Sequence, residues 1–184
     1  MLMDVFEAIK GRRSIRRFTP EDVDDETLLK ILDAARWAPS AGNLQPWNFI
    51  VVRSPERKRR LAEAALGQSF IAEAPVDIVV CADTRVSSWG YGSRGETLYC
   101  IQDTAAAIQN MLLAAYALGL GTCWVGAFDE RRVAEVVGLP DGVRPVAIIA
   151  LGHPAERPAP RPRRGLGEVV HVEVYGRRLL PKRS

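Results

Sequence analysis

Between Leu98 and Leu118, apolar side chains recur at spacings of three and four: Ile101, Ala105, Ile108, Leu112, Ala115 and Leu118. That period predicts one long helix. Small residues (Thr104, Ala105, Ala106, Ala107, Ala114, Ala115 and Ala117) fall on several of its faces. Such a helix is buried on more than one side, and its neighbours approach closely. Gly119 and Gly121 end it. The rest of the chain therefore has to supply layers around a central helix.

Those layers are readable. Asp4–Lys10 and Asp24–Ala38 predict helices, the second opened by Asp24 and Asp25 and stopped by Pro39. Asn48–Arg53, Val76–Ala82, Thr122–Val125 and Pro145–Leu151 predict strands. Pro55–Leu66 and Glu130–Val137 predict surface helices. Strands and helices mix without strict alternation, so the expected class is α+β rather than a doubly wound sheet. With 184 residues, the chain suits one domain. Pro154–Arg164 interleaves four prolines with four arginines and reads as an extended arm. Val169–Tyr175 then alternates like a strand, which needs a sheet edge either in its own domain or in a second subunit. The division is residues 1–153 as core and 154–184 as arm and terminal strand of the same domain.

Composition excludes several classes. The 25 basic and 22 acidic residues leave a net charge of +3, too little to require nucleic acid or an anionic membrane. No apolar run is long enough to span a bilayer, and the N-terminus lacks a signal-peptide pattern, so a cytoplasmic protein is expected. Cys81, Cys100 and Cys123 are an odd, widely spaced set, and the two histidines are far apart. Neither a disulfide framework, a metal site nor a Ser-His-Asp hydrolase is expected. Gly90–Gly95 fits GxGxxG, but a polar stretch (Asp83–Trp89) replaces the strand a dinucleotide fold needs before it. It reads instead as a loop carrying Trp89 and Tyr91 near a pocket mouth. Glu96 and Asp103 flank a helix start, where acids favour the dipole. No nucleophile or acid/base pair stands out, so any chemistry would come from a bound cofactor.

Three segments suit ligand binding. Arg12-Arg13-Ser14-Ile15-Arg16-Arg17-Phe18 concentrates guanidiniums beside a hydroxyl, apt for a phosphate or equally for a solvated basic turn. Pro39-Ser40-Ala41-Gly42-Asn43-Leu44-Gln45-Pro46-Trp47 builds a polar loop suited to a heterocycle edge or to a turn alone. Gly119–Phe128 contains a Gly-flanked strand that can present bare backbone to a flat ligand, or simply a helix stop and a core strand.

In this order and spacing, with the QDTAAAIQNMLLAAYALGLGTCWVG stretch and the Pro/Arg arm before GLGEVV, these segments resemble the nitroreductase family of FMN-dependent oxidoreductases. The resemblance runs from about Val5 to about Val172. It implies a mostly antiparallel sheet flanked by helices, in a homodimer whose C-terminal arm and strand are exchanged, with FMN at the interface. Arg12, Arg13, Ser14 and Arg16 would hold the phosphate, ribityl chain and pyrimidine edge. Pro39, Ser40, Ala41 and Asn43 would come from the other subunit, with Gln45 supporting their loop. Trp124, Val125, Gly126 and Ala127 would pass the ring face, Arg161 and Arg163 would return to the phosphate, and Gln68 would meet the ring edge. Ala127 stands where the family often has Gly, and Gly165 where many members have Pro. The implied reaction is ping-pong hydride transfer from NADH or NADPH through the flavin to a nitroaromatic, quinone or flavin, with no catalytic protein side chain. A dehalogenase or flavin-cleaving enzyme of the same family, and a non-catalytic flavin-binding module, are the alternatives.

Overall fold

A computed structural model describes residues 3–179. Helix α1 (Val5–Gly11) is capped by the Asp4 carboxylate, and α2 (Asp25–Arg36) by that of Asp24. A 3-10 turn (Ala41–Asn43) leads to strand β1 (Trp47–Val52). Helices α3 (Pro55–Ala64) and α4 (Phe70–Glu73) precede β2 (Val76–Asp83). Helix α5 (Thr84–Arg94) runs through a π-helical turn (Gly95–Tyr99) into the long α6 (Cys100–Ala117). Then come β3 (Gly121–Val125), α7 (Glu130–Val137), β4 (Val143–Gly152) and the short α8 (Leu166–Val169).

The four strands form one antiparallel sheet in the order β1-β2-β4-β3. Successive side chains of a strand point to opposite faces. Ile78 and Val80 of β2 meet Ile31 and Ala35 of α2 and Ile108, Met111 and Ala115 of α6. Val79 and Cys81 meet Leu61 of α3, Ile71 of α4 and Val133 of α7. Helices thus cover both faces, which is why β2 and β4 read as unbroken apolar runs rather than alternating ones. A bulge between Val80 and Cys81 shifts the β2–β4 register where Pro145, which has no N–H to donate, sits opposite. The α+β expectation and the central burial of α6 agree with this architecture.

Two segments differ from the sequence reading. Asp83–Trp89 and the glycines after it are not a loop. The Asp83 carboxylate accepts from the Arg85 and Val86 amides and starts α5, which breaks only at Tyr91 and Gly92 (φ 56, ψ −145). Capping and packing here outweigh the poor helix propensity of Ser and Gly. Val169–Tyr175 is not a strand either. After α8 the chain closes on itself through a His171–Arg178 bridge, with the Val172 amide donating to the Arg177 carbonyl at 2.7 Å. Val174 and Tyr175 are exposed, and residues 169–175 join no strand of the sheet among the described residues. The end of the arm, residues 180–184, lies outside the described residues.

One buried charge is set by the sheet. Asp77 of β2 is fully buried, and neither carboxylate oxygen has a hydrogen-bond partner among the described residues. Nearby Lys58 gives its ammonium to the Ala74 and Pro75 carbonyls instead. Burial pushes the Asp77 carboxyl well above its ordinary range, against the pull of Lys58. The folded state then holds this proton more tightly than the unfolded chain does. Its contribution is full below the unfolded carboxyl pKa of about 3.9 and is lost as pH rises through the folded value. Asp77→Asn should therefore gain thermal stability relative to wild type as pH climbs from about 4 toward neutrality. Unfolding midpoints of both proteins across that range check the sign, and a gap that does not change with pH would contradict it.

Candidate active site

Helix α1 ends at Gly11, and the chain leaves it extended. Ser14 bridges in parallel to Thr122, and the Ile15 amide donates to the Thr122 carbonyl at 2.9 Å. The RRSIRRF segment is thereby laid along the outer edge of β3. Ile15 points inward and is 6% exposed, while Ser14 and Arg16 point out. Gly121 permits the close approach, since a methyl there would lie 2.8–3.0 Å from Ile15 atoms. This corrects the reading of Gly121 as a helix stop. Gly119, at φ 81, is the left-handed residue that ends α6.

The root of the arm is bonded to the same segment. Phe18 bridges Pro154, the Thr19 amide donates to the His153 carbonyl at 2.9 Å, and the Ala155 amide donates to the Arg17 carbonyl at 2.9 Å. Arg161 and Arg163 are brought back against Arg12 and Arg13 as a result. They enclose a cavity of about 760 Å³ lined by Lys10, Arg12, Arg13, Ser14, Arg16, Arg161 and Arg163, with Glu156 as its one acid. A smaller hollow of about 370 Å³ shares Arg12, Arg13 and Glu156 and is lined by Tyr116, Leu120 and Thr122.

None of the six cations in the larger cavity has an ion-pair partner among the described residues. Burial and the neighbouring guanidiniums of Arg163 and Arg13 hold Arg12 below the usual arginine value. The Nε atoms of Arg12 and Arg13 are buried without a partner. Arg13 also donates Nη1 to the Lys10, Gly11 and Arg12 carbonyls, closing the C-terminus of α1. Like charges held together with orphaned donors are complementary to one multiply charged oxyanion. The chemistry of this donor set fits a phosphate monoester.

The remaining candidates lie on two other surfaces. At the end of β3, Trp124, Gly126 and Ala127 are exposed and Val125 is buried. Gln68 donates to the Ala65 carbonyl at 2.9 Å and to the Ala127 carbonyl at 3.3 Å, tying the α3–α4 loop to that strand end. The Arg16 guanidinium lies 5.8 Å from the centre of the Phe70 ring, so this surface adjoins the cationic cavity. The Pro39–Gln45 loop does not line the cavity within one chain. There the Gln45 amide donates to Ser40 Oγ at 3.0 Å, and Gly42, Asn43 and Gln45 take left-handed φ of 55°, 56° and 51°. Tyr91 covers it, its hydroxyl 2.7 Å from where a Gly42 methyl would stand.

Three residues escaped the sequence reading. Lys10 was legible only as a helix residue, and Glu156 only as part of the arm. Asp103 is not a solvated dipole partner. It is 8% exposed, its Oδ1 accepts the Ala41 amide at 3.1 Å, and burial raises its pKa. It anchors the Pro39–Gln45 loop to α6. The three cysteines are buried and unpaired, with Cys81 pushed up to about 12 by burial. No cluster of three or more His, Cys, Asp or Glu among the described residues could hold a metal. No helix among them is long and apolar enough to cross a membrane.

Comparisons with known proteins point one way. The chain matches the Nitroreductase family over residues 9–69 and 65–153. It is 38% identical to the NADH dehydrogenase of Thermus thermophilus, over 92% of this chain and 96% of that protein. It is 34% identical to the FMN reductase [NAD(P)H] of Bacillus subtilis, over 94% of this chain and 74% of that one. Its fold superposes on nitroreductase A of Vibrio parahaemolyticus with a TM-score of 0.87 at 31% identity, covering 94% of this chain and 77% of the other. The NADPH:FMN oxidoreductase of Vibrio harveyi, solved with NAD+, gives 0.86 at 31% identity, covering 93% and 77%. By this match and by the fold it shares with these neighbours, the chain belongs to the nitroreductase family.

Proposed function

We propose that this protein is an FMN-dependent oxidoreductase that takes hydride from NADH or NADPH and passes it to a small acceptor. The observation that carries the reading is the cavity of unpaired guanidiniums, which suits the phosphate of a mononucleotide. Relatives named FMN reductase and NADPH-flavin oxidoreductase support the same cofactor and donor. FMN, when bound, supplies a ring that accepts hydride from one substrate and returns it to another.

The chain's own residues bind and orient. Arg12, Arg13, Arg161 and Arg163 take the phosphate, with Ser14 beside them. Arg16, beside Phe70 at the mouth of the cavity, would bring positive charge to the bound flavin and favour its electron-rich reduced state. The β3 end (Trp124, Val125, Gly126 and Ala127) offers backbone to the ring face, with Gln68 at its edge. Pro39, Ser40, Ala41, Asn43 and Gln45 complete the site from a second copy of the chain. A homodimer is the reading that unites the loop with the cavity, since one chain leaves them apart. Exposed Val5, Phe6, Ile9, Trp37 and Leu118 are apolar surface that such a partner would cover. Exchange of the arm would give Val169–Tyr175 the sheet edge it lacks. We place the enzyme in the cytoplasm, with donor and acceptor sharing one ring face in turn, so that the kinetics are ping-pong. Nitroaromatics, quinones and free flavins are the acceptor classes.

Anaerobic mixing of FMN-loaded protein with each nucleotide tests the reading. Loss of the flavin's visible absorbance is expected, followed by its recovery when an acceptor is added. Flavin that is bound tightly but bleached by neither nucleotide would identify a binding module instead.

A further inference from the structure

Glu156 stands among cations and pairs with none of them. Its Oε1 instead accepts two successive backbone amides, from Arg16 at 2.5 Å and Arg17 at 3.2 Å. The Ala155 amide returns to the Arg17 carbonyl at 2.9 Å, so the contact closes a ring between the arm root and the RRSIRRF segment. A carboxylate inside an anion-binding cavity repels the anion, at an energy set by the local dielectric. By charge alone the residue works against the site.

We propose that Glu156 is a positioning residue. It fastens the arm to the amides of Arg16 and Arg17 so that Arg161 and Arg163 reach the phosphate-binding cavity. The inference rests on the reading of that cavity as the FMN phosphate site. Arm residues between Pro158 and Arg163 line the cavity, yet the prolines there have no amide hydrogens with which to bond it in place. Their position is inherited from the root. The root contacts are the Phe18–Pro154 bridge, the two backbone bonds at Thr19 and Ala155, and the Glu156 carboxylate. His153 Nε2 also lies 3.7 Å from Glu21 Oε1, ahead of the arm, and of these contacts only the Glu156 carboxylate joins an arm side chain to the RRSIRRF amides, where a substitution can remove it.

Positioning and charge predict opposite signs, and two substitutions separate them. Glu156→Gln keeps an Oε1 acceptor for both amides and removes the negative charge. Glu156→Ala removes both. FMN is titrated into each full-length apoprotein, and the dissociation constant is read from quenching of flavin fluorescence. In parallel, the apoproteins are digested with trypsin and cleavage is followed after Arg163 and Arg164, the arm arginines not succeeded by proline. The Gln variant should bind FMN at least as tightly as wild type. The Ala variant should bind about tenfold more weakly than the Gln variant, the scale of the one or two neutral amide hydrogen bonds that separate them, and its arm should be cut faster. Equal or tighter binding by the Ala variant, with unchanged cleavage, would show Glu156 to act as a charge only and overturn the inference. Failure of wild type to bind FMN would instead remove the cofactor reading, while the cleavage rates would still decide whether Glu156 holds the arm.

Discussion

Arg12→Ala should yield protein that purifies without flavin and binds added FMN at least about a hundredfold more weakly than wild type. Two charge-assisted bonds of a guanidinium fork, at about 1.5 kcal/mol or more each, correspond to about that factor at 1.4 kcal/mol per decade. Arg12 is the member of the cluster whose environment argues most for an anion. It is half-buried, pressed by Arg13 and Arg163, and its Nε has no partner. The same crowding makes a second prediction about the empty protein. Removing a guanidinium that its neighbours repel should leave the apoprotein at least as stable as wild type. Arg12→Lys should fall between, because an ammonium keeps the charge and loses the planar fork. A solvated basic turn, the alternative open at the level of sequence, predicts no change in FMN affinity for either variant. Flavin content after purification and an FMN titration decide.

The second large effect is expected away from the cationic cavity. Gly95 opens the π-helical turn, and a methyl there would stand 2.0 Å from the Ser87 carbonyl oxygen and 2.6 Å from its carbon. Both are backbone atoms of α5 and cannot swing aside. Gly95→Ala must push α5 away from the start of α6, and overpacking of this kind costs about 1–3 kcal/mol or more. For a chain of this size that corresponds to a fall of roughly 3–10 °C in the thermal midpoint. Gly126→Ala is the control, because a methyl there meets nothing within 4 Å. Tyr91, carried by α5, covers the Gly42 turn, so displacing α5 should also loosen the Pro39–Gln45 loop. Thermal unfolding of the two apoproteins reads the difference, and equal midpoints would mean that α5 yields easily.

What could be read from the letters was whatever local chemistry decides. Asp4 and Asp24 cap their helices as such residues do at N-termini. Strands β2 and β4 announce themselves as apolar runs because helices cover both faces of the sheet. The cationic site was half legible. Arg12, Arg13 and Arg16 are neighbours in sequence, but their meeting with Arg161 and Arg163 depends on contacts between residues 16–19 and 153–156 that no local pattern encodes. Glu156 and Asp103 stayed hidden for the same reason, since each is defined by amides it receives from distant segments. Helix α5 was missed because Ser and Gly disfavour helix, and the fold overrules them through the Asp83 cap and burial of Ser87. The alternation in Val169–Tyr175 was real, but alternation specifies a strand only where a partner edge exists.

Comparing FMN with riboflavin isolates the phosphate that the unpaired arginines are proposed to hold, since the two molecules differ only in that group. Titrated side by side into the apoprotein at several salt concentrations, FMN should bind at least about a hundredfold more tightly at low salt, from the same two charge-assisted bonds. That margin should narrow as salt screens the charges. Equal affinity for the two flavins at every salt concentration would contradict the assignment of the cavity.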